Sequence, residues 1–290
     1  MTALIAIEFT KIVHRRLNQI TFAVTLALLV VIYVLLWMTS DVITEAGVGG
    51  TAGTTLRSTL YLKETVPFAM LMLYTVGFAA GIVVIGSNVG SEYGWNTVRS
   101  VTAAEPRRWR VLLAKLLALW GLVVAALILG LAVMLTTSTI ITLVAGEFDL
   151  SFVDAEYLRE STYSFLRVIV ATAPYFSLAV LLATVGKSAT AGIALAFGVG
   201  FLEGILSGLM TLAGGWVDEI PQFFLDANAD TLGVASGGQL GEMFGSGSAF
   251  GQAFERPSVP HAIVVLLCWT AVFLGGSFWA FHRQDLEYQG

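Results

Sequence analysis

Apolar residues gather into six long runs, at about 20–38, 66–86, 111–144, 165–185, 189–213 and 261–281, with polar segments between them. A helix needs roughly 20 mostly apolar residues to cross ~30 Å of hydrocarbon. Each run therefore predicts a spanning helix, and the chain an all-α polytopic membrane protein in a single transmembrane domain, 1–290. The third run is longer than a bilayer requires, which predicts tilt or protrusion before Gly146. Ahead of the first run the pattern changes. Ile5, Phe9, Ile12, Val13, Leu17 and Ile20 fall on one helical face, and Glu8, Lys11, Arg15 and Asn18 on the opposite one. This predicts an amphipathic helix over 1–19 lying in the membrane interface, its basic residues toward anionic headgroups. The alternative is a charged stop that only sets orientation. The first apolar run is too long for a cleavable signal peptide and lacks a small-residue cleavage site.

Charge gives the runs a direction. With the N-terminus inside, ten Lys and Arg fall on inner segments and five outside: Arg57, Lys63, Arg159, Arg167 and Arg256. The positive-inside bias then predicts both termini in the cytoplasm of a multi-pass plasma-membrane protein. Outer loops are expected at 39–65, 145–164 and 214–260, and the only long inner loop at 87–110. Segment 233–251 is rich in Gly and Ser and reads as a flexible or irregular outer loop, while 219–229 reads as a short helix on the outer leaflet. Composition agrees: 57% of residues are hydrophobic and 12% charged, with mean hydropathy +0.82. A net charge of -5 argues against nucleic-acid binding.

Several chemistries fail at the level of spacing. Gly186-Lys187-Ser188 mimics the end of a phosphate-binding loop, but Leu181 stands where that motif needs Gly, and no strand precedes it. His14, His261 and His282 are scattered over both membrane faces, and Cys268 is the single cysteine, so no metal site and no disulfide are expected. No nucleophile elbow or zinc-protease motif occurs, so the chain is not expected to be a catalyst.

Residues 86–115 carry the most specific pattern: Glu92, Tyr93, Trp95, Asn96, Thr97 and Arg99, then Arg107, Arg108 and Ala114-Lys115. This stretch resembles the permease subunits of type-2 ABC exporters (the ABC-2 permease family). There, a Glu after the second span is followed by Gly-Thr, a basic residue, a basic cluster and Ala-Lys. Asn96 replaces the usual Gly, a mild departure because Asn tolerates the left-handed conformation. Glu8-x-x-Lys11 with Arg15-Arg16 is similar to the family's leading helix, and Phe281-His282-Arg283-Gln284-Asp285-Leu286 to its ending. The resemblance implies a permease that pairs with a second copy or a paralogue and binds two ABC ATPase subunits, on which ATP and Mg are used. It also implies an ATPase-coupling role for Glu92, Tyr93, Trp95, Thr97, Arg99, Arg107 and Arg108. The plainer alternative is a basic loop that only orients helices.

Within the spans, Glu203 is the one acidic residue at depth. An ionised, unpaired carboxylate near a helix centre costs ~2.5–3.5 kcal/mol on insertion scales. Arg167, at similar depth on the preceding span, is the expected ion-pair partner, and a place on a substrate or proton path is the alternative. Gly192, Gly200, Gly204 and Gly208 recur at multiples of four residues, a ridge suited to close helix packing. Two other classes stay open: a structural or assembly subunit, and an ion-coupled secondary carrier. Largely apolar walls favour a lipid-like, peptide or amphiphilic cargo.

Overall fold

The computed structural model describes residues 1–45, 52–95, 97, 107–244 and 256–284. Among these residues the secondary structure is helical, and six helices are long and apolar enough to cross a membrane. In chain order the helices are α1 (Thr2–Val13), α2 (Arg16–Glu45), α3 (Ala52–Leu60), α4 (Thr65–Met72), α5 (Phe78–Gly94), α6 (Arg108–Ala145), α7 (Ala155–Val185), α8 (Ala189–Ala213), α9 (Leu225–Phe244) and α10 (Val259–Arg283). A π turn at Leu73–Gly77 joins α4 and α5 into one span.

The six apolar runs all become spans, but their ends differ from expectation. Residues 87–94 continue α5 and residues 155–164 begin α7, though both stretches are polar enough to read as loop. Polar helical ends are stable here because they are paired: Ser87 and Asn88 bond back to the carbonyl of Val84, and Asp154 caps α7 by accepting from the Tyr157 N–H at 2.7 Å. Residues 16–19 belong to α2 rather than to the leading helix. The break falls at His14–Arg15, where Asn18 Nδ2 takes the Ile12 carbonyl at 2.7 Å and so satisfies the open end of α1.

The most enclosed span is α7, which packs on α5, α8, α9 and α10. Its link to α8 is the three-residue turn Gly186-Lys187-Ser188, with Lys187 in the left-handed region at φ 48°. Gly90 of α5 lies directly on the Ser188–Ala189 backbone, a closeness only a missing Cβ allows. Gly192 meets Ala183 and the Ala179 carbonyl in the same way. On the other flank, α2, α5 and α6 surround a cavity of about 210 Å³ lined by apolar side chains such as Phe22, Leu29, Leu73 and Leu127.

The segment after α8 departs furthest from a surface loop. A 3-10 stretch, Gly215–Phe223, folds back along α8, and α9 then rises again. Depth can be read from the spans it touches. The first turn of α9 meets Glu203, fourteen residues after Ala189, or ~21 Å along α8. The Phe223 carbonyl accepts from Trp269 Nε1, fourteen residues before Arg283, which is the same height on α10. Farther along, Ser236 Oγ donates to the Ser164 carbonyl, ~31 Å from the α7–α8 turn. Residues 225–244 thus form helix α9, whose N-terminus lies beside the middle of α8 and α10; residues 245–251 of the expected loop lie outside the described residues. The Gly-Ser composition of α9 serves packing: Gly233 lies against the Tyr74 ring and Gly237 against Leu71, while Gly238, at φ 56°, kinks the helix beside Pro67.

Candidate functional site

At the bundle end that holds the α7–α8 turn, four charges close a ring. Glu8 and Lys11 come from α1, Glu92 from the last turn of α5, and Lys115 from the second turn of α6. Lys11 Nζ lies 2.9 Å from Glu8 Oε1 and 2.5 Å from Glu92 Oε1. Lys115 Nζ lies 2.8 Å from Glu8 Oε2 and 2.6 Å from Glu92 Oε1. Acid and base alternate, so every charge touches two of opposite sign. Three of the side chains are less than a tenth exposed, and Lys11 is 46% exposed. Burial alone would raise the Glu8 pKa, but Lys115 and Lys11 together hold it below its ordinary range. Burial likewise opposes the charge on Lys11, and Glu92 and Glu8 outweigh it, raising the lysine.

A second polar layer lies beside the ring. Arg15 Nη1 donates to the Ser87 carbonyl at 3.0 Å and to Asn88 Oδ1 at 3.2 Å, and Asn88 Nδ2 donates to Asn18 Oδ1 at 2.9 Å. Glu8 of α1 is buried and Lys11 partly exposed, while on the same helix Ile12 is buried and Ile7 and Phe9 are exposed. Lys11 and Arg15, expected toward headgroups, have partners within the protein. The charge partners of Glu8 and Lys11 on other helices, Lys115 and Glu92, are visible only once the helices are assembled.

The residues singled out after α5 divide into two groups. Glu92 is buried and engaged by Lys11 and Lys115. Tyr93 is half-buried, and its hydroxyl lies beside a small cavity of about 10 Å³ shared with Thr184 and Phe281. Thr97 Oγ1 donates to the Glu92 carbonyl at 3.3 Å. Trp95 is exposed, with the Arg15 guanidinium 5.0 Å above its ring, and Arg107 is exposed at the start of α6. Arg99 lies outside the described residues, as does the side chain of Arg108.

Glu203 and Arg167 do not form the expected pair. Glu203 Oε2 accepts the Asp226 N–H at 2.9 Å, so it caps the N-terminus of α9. Arg167 Nη1 donates to the Ala235 carbonyl at 3.2 Å, farther along α9. Both side chains found backbone partners in a helix that the sequence reading had placed at the surface. Of the glycine ridge, Gly192 packs on α7, Gly200 underlies Tyr175 and Gly204 underlies the Asp226 carboxylate. Gly208 continues the same face. Sequence reasoning missed Asp226 and Asn88, the partner of Asn18; a pair of Asn at the ends of neighbouring spans was the available signal. No group of His, Cys, Asp or Glu among the described residues is arranged to hold a metal ion. No family model, no curated protein and no solved structure matches the chain.

Proposed function

We propose that the chain is the membrane-spanning permease subunit of an ATP-driven exporter of the type-2 ABC kind, residing in the plasma membrane with both termini cytoplasmic. Two such subunits, identical or paralogous, form the substrate path, and two separate ATPase subunits supply ATP hydrolysis with Mg. One observation carries the reading. Glu92, the acidic residue on which the resemblance turns, closes the ion-pair ring that ties α1, α5 and α6 together at the foot of segment 96–107. Load on Trp95 or on Arg107 passes to three helices through the ion pairs of Glu92 and Lys115. Exposed Trp95 and Arg107 flank the segment and offer a partner an aromatic and a cationic contact. Glu92 thus positions the handle and the exposed residues are gripped.

The carrier alternative drew on Glu203, whose charge is already engaged by the N-terminus of α9. The permease reading is tested in proteoliposomes holding this chain with its co-purified partners. Export should require hydrolysable ATP, and Trp95→Ala combined with Arg107→Ala should slow export while leaving the membrane chain folded. Export unaffected by removal of ATP would refute the proposal. The orientation has its own check: an impermeant thiol reagent should label Leu150→Cys from outside intact cells.

A further inference from the structure

Three carboxylates meet near the buried start of α9, and their partners set them apart. Glu203 is engaged by the Asp226 backbone N–H, and Asp230 lies 3.3 Å from the Arg256 guanidinium. Asp226 donates its backbone N–H to Glu203, but its own carboxylate makes no hydrogen bond or ion pair to a described residue. Asp226 therefore stands near the start of α9 with no counter-charge among the described residues, at a depth where an unmatched charge is expensive.

A second observation points to the same spot. Tyr175 is 3% exposed, its hydroxyl makes no hydrogen bond to a described residue, and the side chain lies within electrostatic reach of Asp226, Glu203 and Asp230. The α8 ridge locates the two groups relative to each other. A Cβ on Gly200 would stand 3.8 Å from the Tyr175 hydroxyl, and one on Gly204 would stand 3.6 Å from Asp226 Oδ2. The tyrosine oxygen and the carboxylate thus lie over consecutive turns of one helix face, whose positions are ~5–6 Å apart. Aromatic rings line the surroundings: Phe78 meets Tyr175 edge-on at 4.8 Å and Phe197 at 6.1 Å, and Tyr74, carried by the π turn, packs on α9 beside Asp226 and Asp230. Irregular backbone at membrane depth is tolerated where it is enclosed by protein or lines a cavity. The π turn that carries Tyr74 is such a backbone, and it packs against α9 at Gly233.

We propose that Asp226 and Tyr175, walled by Tyr74 and Phe78, bind the charged end of a monovalent amphiphilic organic cation. The carboxylate supplies the opposite charge, the tyrosine hydroxyl a hydrogen bond, and the ring faces attract the cation through their quadrupoles. A divalent metal is disfavoured because the acids are not grouped as metal ligands. As the cargo of the transporter proposed above, this ligand class rests on that reading; as a binding site on this chain it stands without it.

The test uses the full chain in nanodiscs, without ATPase, and ethidium as the probe, with binding followed by fluorescence polarisation. Ethidium should bind saturably. Asp226→Asn should weaken binding about tenfold or more, and Tyr175→Phe about threefold to tenfold, the scale of a lost hydrogen bond. Asp226→Glu should retain binding, which guards against a folding defect, and Asp149→Asn on an exposed loop should change nothing. Wild-type affinity in Asp226→Asn would overturn the proposal, as would the absence of saturable ethidium binding. Because no ATP is involved, failure here leaves the permease reading intact, and failure of ATP-driven export leaves this binding result intact.

Discussion

Lys11 and Lys115 form a natural experiment. Each ammonium touches Glu8 and Glu92, at 2.9 and 2.5 Å for Lys11 and at 2.8 and 2.6 Å for Lys115. They differ in burial: the Lys115 side chain is 7% exposed and that of Lys11 46%. Removing one partner of a buried pair costs ~3–5 kcal/mol, because the remaining charge stays buried and uncompensated. Removing a largely hydrated partner costs ~1 kcal/mol or less, since water takes its place. Lys115→Met leaves two interior carboxylates sharing a single lysine at the rim. Lys11→Met leaves the interior pair of contacts to Lys115 whole. The expected difference between the two variants is thus ~2–4 kcal/mol, although both lose the same two contacts. Equilibrium unfolding in mixed micelles would read it. Replacing Glu8, Glu92 and Lys115 together by apolar residues of similar volume should restore most of the loss, because no buried charge is then left unpaired. Equal losses from Lys11→Met and Lys115→Met would refute the claim that burial, rather than pairing alone, gives the ring its strength.

Three further outcomes follow from named contacts. Gly90→Ala should destabilise the fold by ~1–3 kcal/mol, the range for overpacking, because the added methyl meets the Ser188–Ala189 backbone, which cannot step aside; thermal unfolding in detergent checks it. The Glu8 pKa is lowered, so its stabilising contribution is fully present above its ordinary 4.5 and is lost as pH falls through the lower folded value. The Lys11 pKa is raised, so its contribution is present below 10.5 and is lost as pH climbs through the higher folded value. A spin label at Thr10 should therefore stay immobile from about pH 5 to 10 and gain mobility only beyond those limits, most clearly in acid. Glu203→Ala should cost ~1–2 kcal/mol as a lost helix cap, and its effect should add to that of Arg167→Gln, since the two side chains bind α9 at different places; strong coupling in a double-mutant cycle would contradict the separate roles.

The spans were legible in the sequence because hydrocarbon demands long apolar runs, and that demand acts on each helix alone. Polar helix ends were not, because Asn88 and Glu92 are stabilised by residues 70 or more positions away. On α1, Glu8 and Lys11 are likewise held by partners distant in sequence, Lys115 of α6 and Glu92 of α5. Helix α9 was hidden for a related reason. Gly233, Gly237 and Gly238 look like loop glycines, yet each removes a Cβ at a contact with α4 or the π turn. Glu203 stands out in the sequence as an acid at depth, but the group it bonds is the Asp226 backbone N–H, which no search among side chains would find.

The central claim is that this chain serves an ATP-hydrolysing partner through segment 96–107 and the ion-pair ring at its foot. Its most direct test is to purify the tagged chain from its native membrane in mild detergent and identify what accompanies it. The account predicts an ATPase subunit in one-to-one ratio with this chain. It also predicts that the ATPase is lost when Trp95→Ala and Arg107→Ala are combined and kept when Asp149→Asn is introduced. A stable, correctly folded complex that contains no ATP-hydrolysing subunit would contradict it.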